Sequence, residues 1–382
     1  MLRETFRNLD DVSTIKPWQQ FRRWRKERHI RLKQKDYTFV VPRVEPDLER
    51  LSTNRTDTTY TWVGHSTFLL QMSGLNIVTD PVWATSMAMV KRLSDPGLAI
   101  KDVPTADLIL ISHSHYDHLH LKSLRMLYKS NTLLVVPTGL KNKMKRLGFK
   151  QTIEMKWWET KQIGDLYLTF VPAQHWTRRT LTDTNRSHWG GYVLENEKAY
   201  QARLERERQG ESSKASGNAL TVEKSAKPGL KVNIRSLADA VAQDKKGEAG
   251  GGAALKQHSA RKPGAETLYF AGDSGYFRGF QLIGERFDID IAFMPIGAYE
   301  PEWFMSAQHV NPEQALQAFI DCGARFMIPM HYGAFKLADD TPKEAMDRLI
   351  AEQQRREIPS ERIRFVMLGE TIDMASMPKV EI

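Results

Sequence analysis

Cysteine is almost absent from this chain, since Cys322 is the only one among 382 residues. A single thiol cannot form an intramolecular disulfide, which is typical of proteins in a reducing compartment. It also excludes zinc sites that are built from several thiolates. A metal ion in this protein would therefore have to be bound by histidine and carboxylate side chains.

Long apolar runs are missing as well. No stretch of the sequence approaches the roughly 20 apolar residues that a membrane-spanning helix needs. The first residues, MLRETFRNLDD, include acidic side chains and lack the apolar segment of a secretory signal. We therefore expect a cytoplasmic protein, and peripheral contact with the inner face of a membrane is the alternative.

The net charge of the chain is +9. A net positive charge suits nucleic acid, an anionic membrane surface or an anionic substrate as a partner. No nucleic-acid recognition motif accompanies the charge, so we do not expect nucleic acid to be the partner.

The N-terminal residues 1–55 differ from the rest of the chain and form a basic arm. Within it, residues 16–33 fit a basic helix with an aromatic stripe of Trp18, Phe21 and Trp24. One interpretation is a helix that contacts a membrane surface. We favour the other, in which the arm packs on the main domain and its basic face is solvated.

A second unusual segment spans residues 196–266. It is rich in Lys, Glu, Ala, Gly, Ser and Gln and has almost no aromatic residues. Such a composition buries too little apolar surface to offset the entropy of ordering. We predict an inserted surface segment that is helical near QARLERERQ and otherwise flexible; an ordered regulatory insert is the alternative.

The main domain is predicted over residues 56–375, interrupted by that insert. Its short apolar runs fit strands, the first over TYTWVGHSTFLLQ and the next, after Gly74, over LNIVTDP. Helices are predicted over residues 120–129 and 139–147. A further amphipathic helix, in NPEQALQAFIDCG, should begin after Asn311 and end at Gly323.

Four strong metal ligands lie within six residues, in the sequence HSHYDH: His113, His115, Asp117 and His118. Ligands two residues apart in a loop can converge on one cation, and the adjacent Asp–His pair can then face a second one. Burying four such groups without partners would be costly, and a hydrophobic core has little use for them. The spacing therefore indicates a metal site.

Three further ligand candidates follow apolar strands elsewhere in the chain. His175 comes after LYLTFVPAQ, Asp273 after TLYFAG and His331 after RFMIPM. Strand ends present their side chains at a common rim, so we expect these residues to meet the HSHYDH loop. Seven ligands would suit a pair of cations that share a water molecule.

HSHYDH matches the HxHxDH signature of the metallo-β-lactamase superfamily. The chain resembles one branch of it, the N-acylphosphatidylethanolamine-hydrolysing phospholipase D enzymes and their bacterial relatives. The resemblance covers most of residues 58–340 outside the insert, and it implies an α/β fold, an αββα sandwich of two mixed sheets flanked by helices. The motifs that carry it are TWVGHST (61–67), TDPVW (79–83), ISHSHYDHL (111–119), WWE (157–159), AQHWTRRTLTD (173–183), HWGGYV (188–193), FAGDSGY (270–276), MPIGAYEPEWFM (294–305), QHVNPEQA (308–315) and MHYGAF (330–335).

The resemblance also implies how the ligands are shared between two zinc ions, with iron or manganese as alternatives. One ion would be bound by His113, His115 and His175. The other would be bound by Asp117, His118 and His331, and Asp273 would bridge the two. Imidazole and carboxylate groups suit zinc.

Other residues of the shared motifs are expected around the ions. Asp117 and Asp273 would have catalytic roles, as would His309, for which a role toward the substrate phosphate or as an acid competes with a structural place at the start of a helix. His65 and Asp80 would lie behind the ligands, and Asp80 could accept a hydrogen bond from a ligand imidazole. The residues expected to line the substrate pocket are Gln308, Tyr299, Glu300 and Trp303.

Four more polar side chains near the motifs have other expectations. His120 and His188 should not be ligands, because the seven positions are already filled. Arg178 and Arg179 could attract an anionic phosphate or simply be solvated.

By this resemblance the chain is expected to be a zinc-dependent phosphodiesterase of phospholipase D type. Its substrates would be N-acylphosphatidylethanolamine-like phospholipids, with peripheral membrane contact and a homodimer as further implications. The alternatives are a metallo-hydrolase of another small ester, lactone or phosphodiester, and a non-catalytic binding protein on the same fold.

Overall fold

The computed structural model describes residues 5–14, 16–87, 90–217 and 262–378. Its first sheet has seven strands in the order β15-β1-β2-β3-β6-β7-β8. The pairs from β15 to β3 are antiparallel, and those from β3 to β8 are parallel. The strands are β1 (Thr59–Gly64), β2 (Thr67–Met72), β3 (Leu75–Thr79), β6 (Leu108–Leu110), β7 (Leu133–Pro137), β8 (Thr152–Met155) and β15 (Thr371–Asp373), while β4 (Ser86–Met87) and β5 (Val90–Lys91) pair separately.

The second sheet has six strands in the order β14-β13-β12-β11-β10-β9. It is mixed as well, because β9 to β12 pair antiparallel and β12 to β14 pair parallel. Its strands are β9 (Thr160–Ile163), β10 (Leu166–Val171), β11 (Gly191–Asn196), β12 (Thr267–Phe270), β13 (Ile291–Pro295) and β14 (Phe326–Met330).

The two sheets pack face to face through aromatic side chains. The rings of Tyr60 and Phe68, on the first sheet, lie 5.4 and 4.7 Å from that of Phe293 on the second. The outer face of the first sheet packs on α2 (Leu48–Thr53), α3 (Leu121–Leu127) and α4 (Lys141–Arg146). The second sheet packs on α6 (Gly279–Arg286), α8 (Pro312–Asp321) and α9 (Pro342–Arg355). The short helix α7 (Glu302–Met305) lies between β13 and α8 in the chain. Each sheet is thus covered on both faces, in a helix–sheet–sheet–helix order.

Helix starts and ends follow the local sequence signals. Asn311 accepts a hydrogen bond from the backbone of Gln314, whose side chain accepts from the backbone of Asn311, and Pro312 occupies the first turn. Gly323 follows the helix with φ of 65°. The predicted bounds of α8 are therefore confirmed, and α3 and α4 lie inside the ranges predicted for them. None of the helices in the described part of the chain is both long enough and apolar enough to cross a membrane.

The prediction of a single strand over TYTWVGHSTFLLQ is wrong. The chain turns between β1 and β2, where Gly64 and His65 have φ of 126° and 56°. The strands are buried at every residue, and the turn between them contains Gly64, His65 and Ser66, turn-forming and polar residues that the strand prediction passed over. The turn places His65 at the rim of the sheet.

The N-terminal arm contains α1 (Trp18–Leu32), which packs on the main domain. Trp24 stacks on Phe304 at 5.5 Å between ring centroids. Arg28 and Arg31 form ion pairs of 3.0 and 3.1 Å with the buried carboxylate of Asp339. These contacts agree with the interpretation of the arm as a packed element.

The segment from residue 196 begins as an ordered helix, α5 (Glu197–Gly217). Tyr200 stacks on Tyr167 at 3.8 Å, and the buried guanidinium of Arg203 pairs with Glu195 at 2.9 Å. The first turns of α5 therefore belong to the packed domain, whereas composition alone placed them in the insert. The remainder of that insert, residues 218–261, lies outside the described residues.

Candidate metal centre

Strands of both sheets deliver ligand-type side chains to one rim. The HSHYDH loop follows β6 in the first sheet, and His175, Asp273 and His331 follow β10, β12 and β14 in the second. All seven predicted ligands come together there. Their candidate ligand atoms form overlapping groups in which the members lie within 4.8 Å of one another.

The first group consists of three imidazoles. Nε2 of His113 lies 2.9 Å from Nδ1 of His115, and Nε2 of His175 lies 3.2 Å from the same atom. Ligand atoms around a tetrahedral zinc ion are about 3.3 Å apart when the zinc–nitrogen bonds are about 2.0–2.1 Å. Three ring nitrogens this close cannot all satisfy one another by hydrogen bonds, whereas a cation accepts a lone pair from each.

The second group joins Asp117, His118 and His331. Nε2 of His118 lies 3.3 Å from Nε2 of His331, and Oδ2 of Asp117 lies 3.5 and 3.7 Å from these two nitrogens. The spacing again fits the ligands of one cation. His65 lies beside this group, with Nε2 3.2 Å from Oδ2 of Asp117.

Asp273 lies between the two groups. Its Oδ2 is 3.0 Å from Nε2 of His118 and 3.9 Å from Nε2 of His113, and its Oδ1 is 3.1 Å from Nε2 of His331. One carboxylate therefore reaches both groups, which is the position predicted for a bridging ligand.

Burial and mutual charge set the protonation of these histidines. Burial lowers the pKa of His65 and of His115 to about 3 and that of His175 to about 4. Burial acts in the same direction on His331, but the carboxylates of Asp273 and Asp117 outweigh it and raise the pKa of His331 to about 9. Most of the imidazoles therefore stay neutral at pH 7 and keep the lone pair that a metal ion needs.

The two carboxylates at the rim respond in the opposite sense. Burial raises the pKa of Asp117 and Asp273, but the neighbouring His118 and His331 outweigh it and hold both pKa values well below the usual range. Before a metal ion binds, His118 and His331 balance the two carboxylates, which raise the pKa of both imidazoles. Imidazole and carboxylate groups together form a donor set that suits zinc.

Hydrogen bonds behind the rim fix the ligand rings. Nδ1 of His118 donates to Oδ2 of Asp80 at 2.7 Å, as predicted for Asp80, and Nδ1 of His175 donates to the carbonyl of Gln308 at 2.9 Å. Nδ1 of His113 lies 2.9 Å from Oγ of Ser112. Because these three Nδ1 atoms have acceptors, the Nε2 atoms of His113, His118 and His175 face the centre, whereas His115 faces it with Nδ1.

Two further residues that hold the ligands in place were not predicted from the sequence. Ser112 donates to Asp80 from both Oγ and the backbone, at 2.6 and 2.7 Å. Asn8, in the N-terminal arm, accepts at 3.0 Å from the backbone of His175 and at 3.0 Å from the indole of Trp189. The arm therefore reaches the metal centre, which its polar composition did not indicate.

His309 is not among the seven predicted ligands, but it faces the centre and its candidate ligand atom lies within 4.8 Å of those of His175 and Asp273. Its Nδ1 lies 4.0 Å from Oδ2 of Asp273 and has no hydrogen-bond partner among the described residues. Burial holds the pKa of His309 well below its usual range, so the ring is neutral at pH 7. Its neighbour Gln308 is buried as well, and its Oε1 likewise has no partner in the described part of the chain.

The other predicted pocket residues contact the arm and α9. Glu300 pairs with Lys35 at 2.7 Å, Arg23 lies over the ring of Trp303 at 4.4 Å, and the buried ring of Tyr299 lies under Arg348 at 4.8 Å. Glu300 and Trp303 thus lie between the N-terminal arm and the main domain, and Tyr299 lies against α9.

His120 and His188 lie outside the ligand groups, as predicted. The imidazole of His120 caps α3 by accepting from the backbone of Ser123. The ring of His188 lies between Phe6 and Trp157, at 4.5 and 4.1 Å.

Asp80→Asn is expected to weaken metal binding by roughly 10–100-fold, because an amide of the same size cannot accept from both His118 and Ser112. Competition with a chromogenic chelator would measure the change. Asp165→Asn, an exposed carboxylate in the turn before β10, is the matched control and should leave the affinity unchanged. Equal affinities in both variants would contradict the role given to Asp80.

Comparison with known protein families agrees with this geometry. A family model described as "Beta-lactamase superfamily domain" matches residues 75–202 and 251–332, more than half of the chain. The N-acyl-phosphatidylethanolamine-hydrolyzing phospholipase D, mitochondrial, of Saccharomyces cerevisiae is 29% identical over 304 residues, which are 76% of this chain and 51% of that protein. The phospholipase D 1 of the same name from Caenorhabditis elegans is 28% identical over 313 residues, 75% and 69% of the two chains. This chain thus spans about half the length of the yeast protein.

Solved structures show the same architecture. Igni18, a metallo hydrolase from Ignicoccus hospitalis, superposes with a TM-score of 0.51 at 19% identity over 83% of this chain and 98% of its own. An isothiocyanate hydrolase from Delia radicum gut bacteria has a TM-score of 0.52 at 14% identity over 82% and 98%. Together with the family match, these likenesses confirm the predicted metallo-β-lactamase fold.

Proposed function

Because this chain belongs to the Lactamase_B_2 family of β-lactamase superfamily domains, we propose that it is a hydrolase with two metal ions, zinc in the first place. Its reaction is the cleavage of a phosphodiester bond in N-acylphosphatidylethanolamine-like lipids, in the manner of a phospholipase D. The products are a phosphatidic acid and an N-acylethanolamine.

The position of Asp273 is the observation that carries this proposal. Its carboxylate reaches His118 at 3.0 Å in one ligand group and His113 at 3.9 Å in the other. A site with two ligand groups that share one carboxylate is built for two cations rather than one. Two zinc ions held there would lower the pKa of a shared water and polarise a phosphoryl oxygen.

The chain itself orients the ligands and excludes bulk water. Asp80 and the carbonyl of Gln308 hold the rings of His118 and His175 through Nδ1. Five of the seven ligand residues are buried, and His115 and Asp117, the latter with its side chain 16% exposed, lie on the side open to solvent. His309 is neutral, with a ring nitrogen free to hydrogen-bond the substrate phosphate or to hold a proton near the leaving group.

The lipid substrate is supported by the relatives and by charge. Both relatives are named as hydrolysing N-acyl-phosphatidylethanolamine. The exposed side of α1 carries Arg22, Arg25 and Lys26, which suits an anionic bilayer surface. Peripheral membrane contact, a cytoplasmic location and a homodimer remain predictions.

The zinc-loaded protein is expected to release phosphatidic acid from vesicles that contain N-acylphosphatidylethanolamine. Mass spectrometry would detect both products, and vesicles of phosphatidylcholine alone are the control for nonspecific lipase activity. If a protein with two bound zinc ions releases no phosphatidic acid, the lipid assignment is rejected while the metal centre stands.

A smaller substrate is the second candidate, and the burial of the site favours it. His113, His118 and Asp273 are 1%, 0% and 3% exposed, so a small ester, lactone or phosphodiester would enter more readily than a lipid with several acyl chains. A panel of chromogenic esters and phosphodiesters, assayed beside the lipid, would separate the two candidates.

A further inference from the structure

The side chain of Arg179 points at the loop that carries the metal ligands. Its Nη1 donates to the carbonyls of Ser114 and Leu119, at 2.8 Å each, and lies 3.4 Å from that of His115. These carbonyls come just before and just after the stretch with His115, Asp117 and His118. Arg179 is thus neither a solvated cation nor directed at a substrate anion, the two interpretations that the sequence allowed.

Tyr116 completes this arrangement from the other side. Its ring lies 4.0 Å from the guanidinium carbon of Arg179, and its hydroxyl donates to the backbone carbonyl of Arg179 at 2.9 Å. Asp183 in turn accepts from the backbone of Arg179 at 2.9 Å and of Thr180 at 2.7 Å. Tyr116, Arg179 and Asp183 therefore form a closed unit, the Tyr116–Arg179 clamp.

Besides Arg179, Oγ of Ser187 donates to Oγ of Ser114 at 3.2 Å and Asp80 holds the ring of His118, but the backbone of the ligand loop makes few hydrogen bonds of its own. The amides of His118 and Leu119 close a single turn by donating to the carbonyl of His115, at 3.2 and 2.8 Å. The turn is part of neither a helix nor a strand. The bonds of Arg179 to the carbonyls at both ends of this turn come from one atom, Nη1, and the planar guanidinium that carries it lies against the ring of Tyr116. The ammonium group of lysine has no such plane to fix its direction.

The guanidinium of Arg179 is largely removed from solvent, yet the groups that contact it are neutral carbonyls and an aromatic ring. Burial lowers its pKa, and the carboxylate of Asp183 is taken up by backbone amides instead of the guanidinium. Because this buried guanidinium binds backbone carbonyls and an aromatic ring instead of a carboxylate, its main effect is to hold the loop in position.

We propose that Arg179 is a positioning residue, which through the Tyr116–Arg179 clamp fixes the HSHYDH loop in the shape in which His115, Asp117 and His118 bind the metal ions. The inference rests on the proposed metal centre and needs no assumption about the substrate. It predicts an effect on metal binding that a surface arginine would not have.

The test compares Arg179→Met and Arg179→Lys with Arg178→Met, a control at the exposed neighbouring position. Zinc dissociation constants come from competition with a chromogenic chelator, and the absorption spectrum of the cobalt-substituted protein reports ligand geometry. Arg179→Met is expected to weaken the binding of at least one ion by roughly 10–100-fold and to change the cobalt spectrum, as for other residues that orient metal ligands. Arg179→Lys should restore little of this, and Arg178→Met should match the wild type.

A wild-type affinity and spectrum in Arg179→Met would overturn the inference. If that variant does not fold, Tyr116→Leu decides, because the tyrosine is 52% exposed and its loss removes the clamp without a buried cavity. Unchanged metal binding in Tyr116→Leu would then overturn the inference as well. A wild-type chain that binds no metal would reject the metal centre and this role together, whereas one that binds metal without lipid hydrolysis would reject the lipid function alone.

Discussion

Asp273→Ala is expected to abolish hydrolysis while the chain remains folded. Asp273 is the one carboxylate among the predicted ligands that reaches both groups, at 3.0 Å from His118 and 3.9 Å from His113. Its loss removes a shared ligand and one of the carboxylates that face His118 and His331, at 3.0 and 3.1 Å. The fall in kcat/KM should exceed the roughly 100-fold that loss of an outer hydrogen-bond partner produces.

Three measurements make this result interpretable. Metal content by elemental analysis should fall below two ions per chain, thermal unfolding should remain cooperative, and Asp165→Ala should behave as the wild type. Asp273→Asn, which keeps the size of the side chain and removes its charge, should lose nearly as much activity as the alanine variant. Full biological function in Asp273→Ala would instead favour a non-catalytic binding protein.

The ligand set could be predicted from the sequence because the fold repeats one local pattern. Each of His175, Asp273 and His331 follows an apolar strand, and the structure brings these strand ends to the rim occupied by the HSHYDH loop. Asp80 follows β3 in the same way and lies 2.7 Å from His118. The end of an apolar strand can be predicted from the sequence, so functional residues that directly follow such a strand can be predicted as well.

Residues that act through tertiary contacts could not be found this way. Asn8 reaches the backbone of His175 from a polar arm far away in the chain, and the guanidinium of Arg179 meets carbonyls that any sequence would supply. Neither contact leaves a spacing or a composition that distinguishes it from a solvated surface residue. Arg203 is a similar case, because composition counts it as a solvated charge although it is buried against Glu195.

The turn at Gly64 shows that a buried turn is also hard to locate from the sequence. An apolar run normally ends where the chain reaches solvent, but β1 and β2 are buried throughout and so is the turn between them. His65 occupies this turn with φ of 56°. Its position beside Asp117 is therefore set by backbone geometry that the alternation of residues does not record.

Removal of the metal ions is expected to lower the thermal stability of the chain along with its activity. A ligand that binds only the folded state stabilises it by about 4 kcal/mol when present at about 1,000 times its dissociation constant. For a chain of this size that corresponds to a fall in Tm on the order of 5 °C after chelation. Without a cation, the buried negative charges of Asp117 and Asp273 are balanced only by protonation of His118 and His331, whose pKa values they raise.

Differential scanning calorimetry before and after dialysis against a chelator would measure this change, and stoichiometric zinc should restore both Tm and activity. Asp273→Ala is the matched control, because a variant that holds little metal should show almost no shift on chelation. An unchanged Tm after verified removal of metal from the wild type would mean that metal binding does not stabilise the folded chain. We expect the shift because the ring nitrogens of His113, His115 and His175, 2.9 and 3.2 Å apart, are brought together only in the folded chain.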